Sequence, residues 1–335
     1  MARYDFASDN VAPAAPEVMA ALARANEAFA AGYGADDTSR RAGELIRGLL
    51  DADAEIWFAA SGTAANALTL AALARPHEAV LAHEASHVAT DETGAPGLFG
   101  AGVGITTLPG AHGRIDPAEL EQALAAPDEP HWQAPAALSL TNATEFGAVY
   151  SEADLAGLIG RAKAAGLGVH VDGARLANAA AAGFDPKALA RAGADVVVLG
   201  ATKAGSTPSE AIALLNPVLR RRFGARLKHA GQLVSKARFL AAPWIGLLES
   251  GAWTARAAHA NAMARRLAAA MPFPLVHPVE ANAVFVEMDE ARLEALKGVG
   301  WFAYRFIDGS VRFMCSWATT EAAVDVLAEA LRKVR

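Results

Sequence analysis

Cysteine is nearly absent from this sequence of 335 residues, where only Cys315 is present. No intrachain disulfide can form, so the fold is held by packing, and a reducing compartment, the cytoplasm, is expected. A basic excess is missing as well: 30 lysines and arginines stand against 36 acidic residues, for a net charge of −6. Without a cationic footprint, nucleic acid is not expected as a partner. No apolar run reaches the length a membrane-spanning helix needs, so no membrane partner is expected. In the opening MARYDFASDN, Asp5 and Asp9 interrupt any apolar stretch, and no signal peptide is expected. Repeats, low-complexity linkers and charge blocks are lacking. Aromatic residues make up 7% and hydrophobic residues 53%, enough to bury one large core and a smaller second one.

Apolar runs of strand length alternate with Ala-rich stretches of helical period. The runs are 54–59, 78–82, 103–107, 136–141, 167–171, 195–199 and 211–215. Between them lie helix start signals. Asp116, Pro117 and Glu119 precede one helix; Ser151 and Asp154 precede another, which Gly166 closes. Strands alternating with helices predict an α/β fold with a mostly parallel sheet covered by helices on both faces. From about residue 245 the rhythm changes to a long helix near 252–270, strands within 282–288, 301–306 and 311–317, and a last helix from about 320. The expected division is a large domain over 1–245, carrying an N-terminal arm, and a small α+β domain over 246–335.

Ligands in open α/β sheets bind beyond the C-terminal ends of the strands. Five of the predicted strands are followed there by polar groups. Ser61-Gly62-Thr63 opens a helix, and its free N–H groups and hydroxyls suit a phosphate monoester; taken singly, such a triplet reads equally as a plain N-cap. Asp172 ends a buried strand, where an acid is costly unless paired. Its partner is either a protonated heterocyclic nitrogen or Arg175, and Arg175 could instead hold a carboxylate. Lys203 follows an apolar strand and small residues, which would desolvate its amine and favour nucleophilic use; alone, it reads as a snorkelling loop lysine. In combination they gain specificity. A phosphate cradle, an acid at a strand end and a lysine 31 residues further on are what pyridoxal phosphate requires: an anchor, a partner for the ring nitrogen and an amine for its aldehyde.

Other readings are weaker. His83-Glu84-Ala85-Ser86-His87 spells the H-E-x-x-H of zinc proteases, but that motif works on a helix and here follows a strand directly, so no metal is expected. No G-x-G-x-x-G opens a helix after the first strand, which disfavours a nicotinamide oxidoreductase. A non-catalytic binding protein would not need lysine and acid at one edge. An aminotransferase or β-eliminating lyase shares both fold and lysine and stays open as the alternative.

The chain resembles the L-threonine aldolase family of fold-type-I pyridoxal-phosphate enzymes, in its low-specificity and phenylserine aldolase branch. The resemblance runs nearly end to end and is carried by FASDN (6–10), GYGADD (32–37), SGTAAN (61–66), SHVATDETGAP (86–96), LTNATEFGAVYS (140–151), HVDGARLANA (170–179), GATKAG (200–205), KHAGQLVSKARFLAA (228–242) and VRFMCSWATT (311–320). It implies cleavage of L-β-hydroxy-α-amino acids to glycine and an aldehyde. It also implies that Lys203, beside Thr202, bonds the cofactor, Asp172 holds its ring nitrogen, and His87 stacks on the ring and is the candidate base. Gly62 and Thr63, next to Ser61, would face the phosphate. Ser8, Arg175 and Arg312 would bind the substrate carboxylate, with Arg175 close to the cofactor too. Lys228 would reach a phosphate and Tyr33 would approach a site, both in a neighbouring subunit of a homodimer or homotetramer. Where many members carry a histidine that contacts the substrate β-hydroxyl, this chain has Thr144, which is placed in the substrate site with that role altered.

Overall fold

The computed structural model describes residues 3–127 and 129–334. Seven strands form the main sheet: β1 (Glu55–Ala59), β2 (Glu78–His83), β3 (Gly104–Leu108), β4 (Ala134–Thr141), β5 (Gly168–Gly173), β6 (Val196–Gly200) and β7 (Glu210–Leu214), ordered β1-β7-β6-β5-β4-β2-β3. All seven predicted runs are strands. β5 and β6 are apolar on both faces because helices cover both sides, and each of their residues but Gly168 is buried. The β2–β3, β2–β4, β4–β5 and β5–β6 pairs are parallel. β7 runs antiparallel to both β1 and β6, so its first residue, Glu210, pairs with Gly200 at the end of β6.

The helix Gly62–Leu73 lies across this sheet, and seven of its consecutive residues, Ala65 to Ala71, are buried. Small side chains let it sit close to the strands. The expected caps form: Asp116 accepts from the Ala118 N–H and Ser151 from the Asp154 N–H, and Gly166 adopts a left-handed φ of 80°. Gly200 is required for packing, since a Cβ there would lie 2.4 Å from the Ala174 carbonyl oxygen. That close approach brings the ends of β5 and β6 together.

A second, antiparallel sheet joins β8 (Ala283–Val286), β9 (Tyr304–Arg305) and β10 (Val311–Met314) in the order β8-β10-β9. Its own apolar core gathers Val284, Val286, Val311, Phe313 and Cys315 with Leu327 of the last helix, Glu321–Lys333. Phe6 is buried in this second core and its carbonyl accepts from the Met314 N–H. The long helix Ala252–Ala270 serves both cores: Trp253 and Ala257 pack into the first, Met263 and Leu267 into the second. No helix among the described residues is long and apolar enough to cross a membrane.

Candidate active site

At the edge where β1, β4, β5 and β6 end and β7 begins, a cavity of ≈ 300 Å³ is lined by Ser61, Gly62, Thr63, His87, Asp172, Arg175, Thr202 and Lys203. The three features read separately in the sequence therefore face one space. The Ser61 side chain caps its helix, accepting from the Ala64 N–H at 3.2 Å, as the capping reading required. Gly62 faces open space, with nothing within 4 Å of an added Cβ, so a ligand can approach its backbone directly.

Asp172 is buried, and both oxygens are held: Oδ1 accepts from the Ala174 N–H at 2.9 Å and Oδ2 from the Asn66 amide at 2.8 Å. Burial alone would raise this carboxyl, but the opposing charge of Lys203 and the Ala174 N–H keep it below its ordinary value. It is a fixed anion suited to a protonated ring nitrogen. Lys203 is half-buried. Burial and then the Arg175 charge pull its amine below the usual lysine range, against Asp9, Asp172 and Glu210. A lowered ammonium is easily deprotonated, and the free amine is the nucleophile. The Thr202 hydroxyl accepts from the Ser209 N–H at 3.2 Å.

Arg175 does not pair with Asp172. Its guanidinium grips Asp9, Nε to Oδ2 at 2.7 Å and Nη2 to Oδ1 at 2.9 Å, so the fork expected to take a substrate carboxylate is largely engaged by the N-terminal segment. Arg312 differs. It lines an adjoining cavity of ≈ 390 Å³ with Ser8, Tyr304 and Phe306. It is 8% exposed, lies 5.0 Å from the Tyr304 ring centroid and 4.8 Å from that of Phe306, and its Nε has no hydrogen-bond partner among the described residues. Burial, then the nearby Arg175 charge, lowers it to about 10, which leaves it cationic at neutral pH. A desolvated, unpaired guanidinium is a ready carboxylate anchor.

Two expectations need correction or qualification. Thr144 does not face either cavity: it is 1% exposed, donates its hydroxyl to the His112 carbonyl at 2.8 Å and accepts from the Ala148 N–H at 3.1 Å. The chain turns sharply after β4, with Gly147 at φ 76°, so Thr144 points inward and Glu145 points to the cavities. Tyr33 and Lys228 line neither cavity, and the Lys228 ammonium lies 4.7 Å from the Tyr33 ring centroid. His112 meets His277 ring nitrogen to ring nitrogen at 2.8 Å. His83 ends β2 and His87 begins a helix of four residues, His87–Thr90, so the H-E-x-x-H spelling has no shared helical face, and no group of three metal-binding side chains occurs among the described residues.

Sequence reasoning missed the acids and amides behind the named residues. Asn66 bridges Asp172 and Glu92, donating to each at 2.8 Å. Glu92, its side chain fully buried, meets the His87 Nδ1 at 2.8 Å. Glu145 lines both cavities, as does Asn10. Glu210 lines the first, and burial pushes it up to about 7. Asn66 had a signal, three residues after Thr63 on one helical face; Glu210 had none, since it starts a strand instead of following one.

Fold and cavity together define a pyridoxal-phosphate-dependent enzyme of fold type I. The profile of the beta-eliminating lyase family matches residues 5–291, and the chain belongs to that family. Its relatives narrow this further: the low specificity L-threonine aldolase of Pseudomonas sp. (strain NCIMB 10558) is 44% identical over 336 residues, which span 98% of this chain and 97% of that one. The threonine aldolase of Leishmania major has a TM-score of 0.93 to this fold at 31% identity, with 99% of this chain and 100% of that chain covered. A serine palmitoyltransferase of S. paucimobilis with bound PLP shares the fold at a TM-score of 0.71 and 17% identity, over 100% of this chain and 86% of that one.

Proposed function

We infer that this protein cleaves L-β-hydroxy-α-amino acids, among them L-threonine, L-allo-threonine and L-phenylserine, to glycine and an aldehyde. The observation that carries the reading is the pairing of two spaces: one holds a buried acid, a half-buried lysine and a helix N-terminus, and the other holds a buried arginine with no ion-pair partner among the described residues. Bound pyridoxal phosphate supplies an aldehyde that condenses with amines and a protonated ring that accepts the electron pair of the broken bond.

The chain's residues do the rest. Lys203 is the attachment amine. Asp172, pinned by Ala174 and Asn66, keeps the ring nitrogen protonated. Gly62 and Thr63 offer N–H and hydroxyl donors to the phosphate. Arg312, with Ser8 beside it, fixes the substrate carboxylate, which sets the angle of the Cα–Cβ bond to the ring. His87, its imidazole held by Glu92, lines the cavity and would offer its ring to the cofactor. Lys228 and Tyr33, exposed and outside the cavities of their own protomer, fit contacts across a homodimer or homotetramer. The single free cysteine fits a cytoplasmic protein.

Purified protein incubated with L-phenylserine or L-threonine tests this. Aldehyde release without any added keto acid is expected, and it should vanish in Lys203→Ala. Transamination, or release of ammonia and a keto acid in place of glycine, would favour an aminotransferase or a β-eliminating lyase.

A further inference from the structure

Five residues line both cavities: Asn10, His87, Glu145, Arg175 and Lys203. A substrate whose carboxylate sits on Arg312 and whose amine replaces that of Lys203 places its Cβ among them. Retro-aldol cleavage needs a proton acceptor at the β-hydroxyl there. Asn10 is an amide and Arg175 is a cation gripped by Asp9. Lys203 is the displaced amine. His87 is a poor acceptor: its hydrogen bond to Glu92, opposed by burial and helped by Asp172, holds the imidazole protonated to higher pH than usual.

Glu145 remains. Its Oε1 accepts from the His87 N–H at 2.9 Å and the Thr141 hydroxyl at 3.1 Å. Its Oε2 is buried and has no partner among the described residues. A carboxylate fixed on one oxygen and without a partner on the other, on a residue that lines both cavities, keeps an unused acceptor beside the place the β-hydroxyl would take.

The geometry points to Glu145 as the catalytic base that takes the β-hydroxyl proton; this rests on the aldolase reading above. The O–H proton moves to Oε2, the Cβ–O bond becomes the aldehyde carbonyl and the Cα–Cβ bond breaks. Its electron pair stays with Cα, delocalised into the cofactor ring. The aldehyde leaves and the Glu145 proton passes to solvent. Cα takes its proton from the Lys203 ammonium, which carries the proton the substrate's own ammonium lost on binding. Burial, then the Asp172 charge, push the Glu145 carboxyl up to about 7; the ionisable groups around it are His87, Asp172, Arg175, Lys203, Glu210 and Tyr150, with Arg312, Arg305 and Asp91 across the second cavity. A base must be ionised, so aldehyde release should rise with pH through about 7.

The test compares holoenzyme with Glu145→Gln. Benzaldehyde release from L-phenylserine should fall by roughly 100-fold or more, while exchange of a glycine α-proton in deuterated water, which uses Lys203 and not Glu145, stays within about threefold. The alkaline rise of aldehyde release should disappear. Cofactor affinity and visible absorption should be unchanged, and infrared titration should lose one carboxyl that titrates near 7 in the wild type. Near-wild-type cleavage in Glu145→Gln overturns the proposal, as does equal loss of cleavage and glycine exchange, which would mean a structural role. Wild-type protein that does neither reaction overturns the aldolase reading itself.

Discussion

Asp172 and Arg312 are both buried charges at one site, and they are handled in opposite ways. Asp172 has both oxygens hydrogen-bonded by its own fold, from Ala174 and Asn66. Arg312 stacks near two aromatic rings, has no ion-pair partner among the described residues, and leaves Nε bare. Desolvating a charge is costly unless something compensates it. The Asp172 side is compensated before any substrate arrives, as a resident cofactor demands. The Arg312 side keeps its cost until an anion binds, so binding there relieves a strain already present. On the function proposed above, the contrast is that between a permanent ligand and a passing one.

Substitutions sharpen that contrast, and the largest effect is expected at Asp172. Asp172→Ala should lower aldehyde release roughly 1,000-fold, since it removes a preorganised charge from the reacting system. It should also weaken cofactor retention, read by dialysis and visible absorption. Arg312→Ala should act on KM, raising it roughly 100-fold with cofactor binding intact, as expected for loss of one partner of a buried charge pair. A fall in kcat with unchanged KM would break the division between the two sides. Arg312→Met should sharpen it: without substrate its melting temperature should match or exceed that of the wild type, because an uncompensated cation has gone.

A smaller effect is expected at Glu210. Its folded value, about 7, lies above the ordinary 4.5, so folding favours the protonated form. The stability this contributes is complete below pH 4.5 and fades as pH climbs through about 7, by on the order of 3 kcal/mol in all. Thermal unfolding of the holoenzyme from pH 5 to 8 should therefore fall more steeply for the wild type than for Glu210→Gln, in steps of about one pH unit. Parallel slopes would mean that the Lys203 charge already holds Glu210 ionised.

Much of this was legible in the chain, for identifiable reasons. β5 and β6 stood out because burial on both faces makes a continuous apolar run, and Asp172 and Lys203 stood out because they interrupt or follow such runs. What escaped depended on direction and distance. β7 reads as a strand, but nothing local shows that it runs backwards, so Glu210 was not placed at the site edge. The Asp9–Arg175 pair joins residues 166 positions apart, beyond any local pattern. Thr144 and Glu145 are neighbours whose side chains face opposite ways because of one turn; the resemblance placed Thr144 in the substrate site, whereas Glu145 is the one that lines the cavities. Arg312 lies on β10 of the second sheet, and only the family resemblance brought it to the site.

The most direct test of the account is the site of covalent attachment. Holoenzyme reduced with borohydride, digested and mapped by mass spectrometry should carry the pyridoxyl group on Lys203, and Asp172→Asn should retain less of it. A pyridoxyl group on Lys228 or any other lysine, or none at all, would contradict it.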